Sequence, residues 1–503
     1  MESSDSDISS AEPFQPAALV STLFGECLAM LLTVHVVFTA LIWIMTGGPV
    51  LSAGYIVVAA FWIVSRAYGF AAGKWGNPVV TAMLFIFLCW GLPVLSSGSA
   101  IVWGPFSIRI LALMLAIVLW MDLTECYSRY ISDPAGFQAS GEFIRRHGLR
   151  ILWYGMCVVF VVCVLIVPAV EEWQHRQAPP PEKPVMAMER LDLGQNMLFR
   201  SCQCLAAFFF FVVGTCVGSF LNVVIYRVPN GVSVLAKASH CPGCSQPINS
   251  QDNIPMVGWL RLGGRCRNCD VDISARYPTV ELCTGLAFLL LYFVELISGG
   301  TNLPGRTPNG YAGVLWILFY TKWDLLGLYL FHCLLLCTLF SWAMIRRDGH
   351  HIPLLSAIVM LVIIVGLPSA MPHLLPYPAM GYSGSTVPYH TSGALVTSAC
   401  GIAAGLCAAL LARGVFSVAG KKLIPDDIPS WLLLGAGVGW QAVVGVIVLV
   451  MIWEVVFRVH CLIIETDSVC KGSELSNRWL VFPWIVLVHH LCWRNLLGHV
   501  VQV

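Results

Sequence analysis

Charge is what this 503-residue sequence has least of: Asp, Glu, Lys and Arg together make up 11% of it, against about 25% in soluble domains. That shortage excludes an ordinary water-soluble fold, whose surface depends on charged side chains. No stretch interleaves basic and aromatic residues, so nucleic acid finds no electrostatic footprint. Met1 to Pro16 are acidic and polar without a basic segment, and do not read as a cleaved signal peptide. No repeat of fixed period and no Gly-rich fingerprint of the soluble nucleotide-binding type is visible.

Apolar residues are abundant instead, at 58%. Runs near 20 residues recur along the chain, about the length that crosses a bilayer core as a helix. The sequence therefore predicts an all-α, polytopic transmembrane helical bundle in a lipid bilayer, with about twelve spans. Five are expected at 18–46, 53–65, 78–96, 105–122 and 151–170, and seven at 205–225, 279–297, 324–345, 353–370, 392–412, 431–456 and 479–497. Between the two groups stands Pro179-Pro180-Pro181-Glu182-Lys183-Pro184, a stiff solvated linker. It divides a 1–190 N-terminal membrane module from a 191–503 membrane domain.

Basic residues set the orientation. Arg227, Lys237, Arg261, Arg265, Arg267 and Arg276 fall in the 226–278 loop. Placing that loop in the cytoplasm also puts Arg66 with Lys74, the 123–150 loop, Arg346 with Arg347, and Lys421 with Lys422 inside. Both termini are then cytoplasmic.

Most of the 20 cysteines sit singly in apolar runs, where they act as small buried hydrophobes. Four differ. Cys241-Pro242-Gly243-Cys244 and Cys266-Arg267-Asn268-Cys269 are two CxxC pairs on one polar loop, 21 residues apart. Two such turns present four sulfurs to one tetrahedral ion, and a closed four-cysteine set suits structural Zn2+. An unmetallated or redox-active dithiol pair is the alternative; disulfides do not suit a reducing compartment.

The words around these cysteines resemble the bacterial type IV prepilin peptidases. Gly218-Ser219-Phe220-Leu221-Asn222-Val223-Val224-Ile225-Tyr226-Arg227-Val228-Pro229 opens the likeness, followed by Ser239-His240-Cys241-Pro242-Gly243-Cys244. Asp252-Asn253-Ile254-Pro255 and Arg276-Tyr277-Pro278-Thr279-Val280-Glu281-Leu282 continue it. The likeness is dense over about 75 residues and thins toward residue 450.

It implies an integral membrane aspartic endopeptidase of the bacterial inner membrane. Such enzymes cut the leader from prepilins and type II secretion pseudopilins at the cytoplasmic face. Many also methylate the new N-terminus with S-adenosylmethionine as donor.

An aspartic protease needs two carboxylates sharing a proton. The resemblance points to Asp427, eight residues before Gly435-Ala436-Gly437-Val438-Gly439-Trp440-Gln441. The family's glycines before that aspartate are absent here, where Pro425 and Asp426 stand. A helix N-cap is the structural alternative for Asp427. The second candidate is Asp348, five residues before the proline of Ile352-Pro353-Leu354, where the family spacing is seven. Asp348 could instead neutralise Arg346 and Arg347 at the interface.

A catalytically inactive or methyltransferase-only relative, using the zinc loop as a docking surface, is the competing reading. Gly214-x-x-x-Gly218 predicts close helix packing. Glu281 could serve either the loop or the active site. Glu295 and Asp122 are expected at span edges.

Overall fold

The computed structural model describes residues 134–177, 192–234, 239–241, 243–304, 321–375, 391–415, 428–464 and 474–497, with single residues between 59 and 122 and at 314 and 317. Among them the architecture is helical throughout, with two isolated β-bridges in place of any sheet. Among the described residues, five helices are long and apolar enough to cross a membrane: 144–173, 193–227, 276–297, 323–347 and 391–412. The first four expected spans fall largely outside the described residues. So the count of twelve is neither reached nor denied.

Two compact units divide the chain, 1–140 with 460–469 and 141–459 with 470–503. In the first, Arg66 pairs with Asp122 at 2.7 Å, and Thr81 donates to the other oxygen of Asp122 at 2.6 Å. All three are buried. A carboxylate in an apolar bundle persists only when paired and hydrogen-bonded, and Asp122 is both.

The second unit begins within α1 (Pro134–Val161), which runs through a π-turn at Val162–Ile166 into α2 (Val167–Gln177). Then come α3 (Leu193–Arg227), the short α4 (Val257–Arg261) and α5 (Arg276–Leu291), extended by a π-helical turn at Tyr292–Ile297. The remainder is α6 (Trp323–Arg347), α7 (Leu354–Ala370), α8 (Thr391–Val415), α9 (Ile428–Val438), α10 (Trp440–Ile464) and α11 (Glu474–Leu497).

Helix α3 starts at a capping box, in which the Asp192 side chain accepts from the Gln195 N–H and the Gln195 side chain accepts from the Asp192 N–H. Its 35 residues make a rod of about 52 Å at 1.5 Å per residue. That exceeds a hydrocarbon core of about 30 Å, so α3 runs on past the membrane and carries the start of the cysteine loop. Helix α6 is central: 83% of its most apolar window is buried, with Leu328, Leu335 and Leu339 inside. Exposed Phe208, Phe209, Val158 and Phe160 lie on α3 and α1, an apolar surface suited to lipid.

Glycines set the tightest crossings. Gly214 and Gly218 of α3 face α5: a Cβ at Gly218 would stand 2.7 Å from the Glu281 Cα, and one at Gly214 would stand 2.9 Å from the Gly285 Cα. The small-residue spacing read in the sequence does bring two helices together. Gly218→Leu is expected to wedge them apart at about 1–3 kcal/mol, measured as a lowered Tm of the detergent-solubilised protein.

The expected 431–456 span is interrupted. Gly439 has φ +87° between α9 and α10, a conformation open to glycine without a Cβ penalty. Of the three glycines in Gly435-Ala436-Gly437-Val438-Gly439, only the last carries the break.

Candidate functional site

The 226–278 loop gathers the four cysteines. Their sulfurs all lie within 4.8 Å of one another, with Cys241 and Cys269 Sγ at 3.7 Å. Each CxxC pair folds the same way. The residue after the second cysteine, Ser245 or Asp270, takes a positive φ of 57° or 56°. Its N–H bonds back to the first cysteine's carbonyl, at 2.9 Å from Ser245 to Cys241 and 3.0 Å from Asp270 to Cys266. The first cysteine's N–H in turn reaches Gln246 or Val271, both at 2.9 Å. The isolated bridges His240–Pro247 and Arg265–Asp272 close the two turns.

Backbone N–H groups also point at sulfur: Gly243 to Cys241 Sγ at 3.4 Å and Asn268 to Cys266 Sγ at 3.5 Å. Such donors favour thiolate over thiol. Backbone donation from Cys244 and Gly243 draws the Cys241 thiol down to about 6. At Cys269 the Val271 N–H lowers the thiol, but desolvation and bonds from the three neighbouring sulfurs together push it up to about 12. Four sulfurs this close repel as thiolates unless a cation sits among them, and the donor set fits a tetrahedral divalent ion.

Ionic clamps hold the loop. Arg267 grips Asp252 with two bonds of 2.8 and 2.6 Å. The bond from Arg267 holds the Asp252 carboxyl below its ordinary value. A carboxylate with a lowered native pKa contributes stability above its unfolded value, near 3.9, and loses that contribution as pH falls through the native value. Loop order, followed by limited proteolysis, is expected to hold at neutral pH and to weaken below about pH 4. Asp252→Asn is expected to remove that acid-sensitive step.

Two further contacts tie the loop to helices. Glu281 of α5 accepts the Met256 N–H at 2.6 Å, so the carboxylate serves the loop. Met256 itself has φ +58°, a strained conformation pinned by that bond. Arg145 of α1 bonds Asp272 at 3.0 Å and stands 6.0 Å over the Trp259 ring. Gly148, one turn on, lies against Leu260. The sequence assigned Arg145 only an orientation role; here a helix upstream of the loop docks on it.

Beneath the loop, against the ends of α3 and α5, is a cavity of about 580 Å³. Asn222, Tyr226, Trp259, Asn268, Tyr277 and Glu281 help line it. That volume is in the range of small-molecule and peptide sites.

The candidate aspartates stand differently. Asp348 caps the end of α6, and both its oxygens are engaged by Arg276, at 2.8 and 2.5 Å. Arg276 immediately precedes the cavity-lining Tyr277, which puts Asp348 beside the loop's exit. Its partner is therefore Arg276, 72 residues away, rather than Arg346 or Arg347. Asp427 lies outside the described residues, so its distance from Asp348 is not part of the geometry. His351 bonds Arg346 at 3.0 Å.

Residues 212–294 match the Bacterial Peptidase A24 N-terminal domain. Over 84 residues the chain is 56% identical to the prepilin leader peptidase/N-methyltransferase of Myxococcus xanthus, covering 17% of this chain and 25% of the relative. A type 4 prepilin-like proteins leader peptide-processing enzyme of Escherichia coli is 46% identical over 106 residues, 18% of this chain and 39% of that one. The prepilin leader peptidase/N-methyltransferase of Neisseria gonorrhoeae is 34% identical over 172 residues, 29% and 58% respectively. These matches thus span from a quarter to under three fifths of each curated relative. No solved structure matches the chain.

Proposed function

We propose that this chain, whose residues 212–294 match the Bacterial Peptidase A24 N-terminal domain and are similar to prepilin leader peptidases, cleaves the leader of prepilins or pseudopilins at the cytoplasmic membrane face. The observation that carries this reading is the paired-knuckle loop, closed over a cavity and joined through Arg276 to Asp348. Structural Zn2+ held by Cys241, Cys244, Cys266 and Cys269 would fix the loop. A closed thiolate set leaves no open coordination position, so the metal holds shape and takes no part in hydrolysis.

Asp348 and Asp427 are the proposed dyad. A carboxylate accepts about four hydrogen bonds, so Arg276 leaves Asp348 room to bind a water. Paired with a guanidinium, Asp348 is the member suited to take the water's proton. Asp427 would then give its proton to the scissile carbonyl oxygen as the water oxygen adds to its carbon; collapse of that adduct breaks the C–N bond, the leaving amine taking the proton held by Asp348 while one hydroxyl proton returns to Asp427. The first 190 residues would be an appended module, consistent with a family match that starts at residue 212.

Methylation of the new N-terminus would use the cavity beneath the loop for S-adenosylmethionine, with Trp259 and Tyr277 as aromatic walls for the cofactor. The Arg276 clamp also favours a second reading: Asp348 as a purely structural anchor of the loop, in a chain that methylates or docks without cutting. Co-expression with a type IV prepilin distinguishes the two. Leader loss on a gel is expected with the unaltered chain and at least a hundredfold slower with Asp348→Ala or Asp427→Ala, since general acid–base groups contribute about 10²–10⁴. An unaltered chain that leaves the prepilin uncut supports the second reading; processing that persists in both variants overturns the dyad.

A further inference from the structure

Inside the bundle a buried group of histidines and a glutamate lies together, unrelated to the cysteines. Glu295 lies on the π-turn that ends α5, His332 on α6, and His489 with His490 on α11. All four are fully buried. Ionisable residues within a membrane bundle are costly to keep and mark sites of function. π-turns inside helices often do the same, and this one turns Glu295 inward.

The hydrogen bonds fix which ring nitrogens are free. His490 Nδ1 lies 2.8 Å from the Val486 carbonyl; a carbonyl only accepts, so Nδ1 carries the hydrogen and Nε2 the lone pair. His332 Nδ1 bonds Glu295 Oε1 at 2.7 Å, again turning Nε2 toward the cluster. Anchoring of one imidazole nitrogen by a carbonyl or carboxylate is how metal-ligating histidines are oriented.

What remains is a set of unpartnered atoms in which lone pairs outnumber hydrogens. His332 Nε2, His490 Nε2, Glu295 Oε2, Asn302 Oδ1 and both ring nitrogens of His489, one of which carries a hydrogen, have no hydrogen-bond partner, nor does the neighbouring Trp493 Nε1–H. The His332 and His490 rings are 4.7 Å apart, with His489 5.8 Å from His490. Trp493 closes one side, its ring 5.3 Å from that of His489 and 5.4 Å from that of His490. A buried polar atom left unpaired costs about 1–3 kcal/mol, and a cation satisfies several lone pairs at once.

We propose that this cluster binds a divalent first-row transition ion, ligated through Nε2 by His332 and His490, with His489 as the third ligand and Glu295 holding the His332 ring from its far side. Imidazole is a donor for zinc, iron and their neighbours. The ligating atoms do not stand within 4.8 Å of one another as the four sulfurs do, so binding requires the His489 side chain to turn toward the other two. The site spans α6 and α11, with α5 supplying Glu295, and would lock those helices together.

The test is metal analysis of the full-length protein in detergent. The chain carrying serine at all four loop cysteines leaves the bundle untouched; it is expected to retain about one ion per chain or to take up one Co2+ when supplied, against about two in the unaltered protein. His332→Gln with His490→Gln in that background is expected to lose it. The proposal is overturned if the four-serine chain holds no metal and takes up no Co2+, the result expected of a bound water or shared proton. It is overturned equally if the two histidine changes leave the metal content unaltered. Failure of the cysteine site reads differently: serine at the four positions would then change nothing.

Discussion

Cys241→Ser is expected to cut zinc content from about one loop-bound ion per chain to near zero after dialysis, and to expose the 226–278 loop to protease. The size of the effect follows from what else holds that loop. Its described residues hold one short α-helix, α4, a 3-10 turn at Ser250–Asp252 and two isolated bridges. Its clamps, Arg267 to Asp252 and Arg265 to Asp270, each have a half-exposed arginine, and exposed pairs contribute little. Four thiolates on one ion supply far more: apparent binding energies of structural zinc reach about 10–16 kcal/mol in small domains. Cys241 is the most buried of the four and receives the Gly243 N–H, so its loss removes a ligand that no neighbour replaces. Asn268→Pro is expected to be milder. It deletes the N–H to Cys266 Sγ while keeping the ligand.

The second large effect is at Gly401. Helices α8 and α9 touch backbone to backbone: a Cβ at Gly401 would stand 1.9 Å from the Gly435 carbonyl oxygen, and one at Gly435 would stand 2.0 Å from the Gly401 oxygen. Ser398 donates to the Ala436 carbonyl at 3.0 Å across the same contact. Neither wall is a side chain that can swing aside. Gly401→Val must therefore separate the helices, losing the Ser398 bond and the packing of Trp431, which is 1% exposed. Overpacking typically costs about 1–3 kcal/mol; two rigid backbones put this case at the upper end, read as a Tm drop in detergent. α9 also begins one residue after Asp427. Displacing it is expected to slow leader cleavage even where the protein still folds.

Features contained in short contiguous words were legible in the sequence. Two CxxC pairs 21 residues apart announced the sulfur cluster, because each turn is built by its own five residues, Cys241–Ser245 and Cys266–Asp270. Gly214 and Gly218 announced a close helix contact. Apolar length announced α3, α5, α6, α7 and α8, since a span is set by composition over about 20 residues.

Pairings between distant segments left no trace. Arg276 and Asp348 are 72 residues apart, and nothing at either position names the other. Glu295 looked like an edge residue because it stands near a span's end. Its partner His332 lies on the next helix, 37 residues on, and only the π-turn aims the carboxylate at it. Asp122 was read in the same way and is instead paired with Arg66 in the interior. The break at Gly439 falls in Gly435-Ala436-Gly437-Val438-Gly439, whose glycines also serve close helix packing at Gly435, so their presence alone did not mark it.

The most direct measurement is on purified full-length protein in detergent, incubated with a type IV prepilin and followed by intact mass spectrometry. The account predicts loss of the leader, and that Asp427→Asn, which cannot carry the dyad's proton, stops it while the zinc content and Tm stay unchanged. A folded, zinc-loaded chain that leaves the prepilin uncut, or an Asp427→Asn variant that cuts as fast as the original, would contradict it.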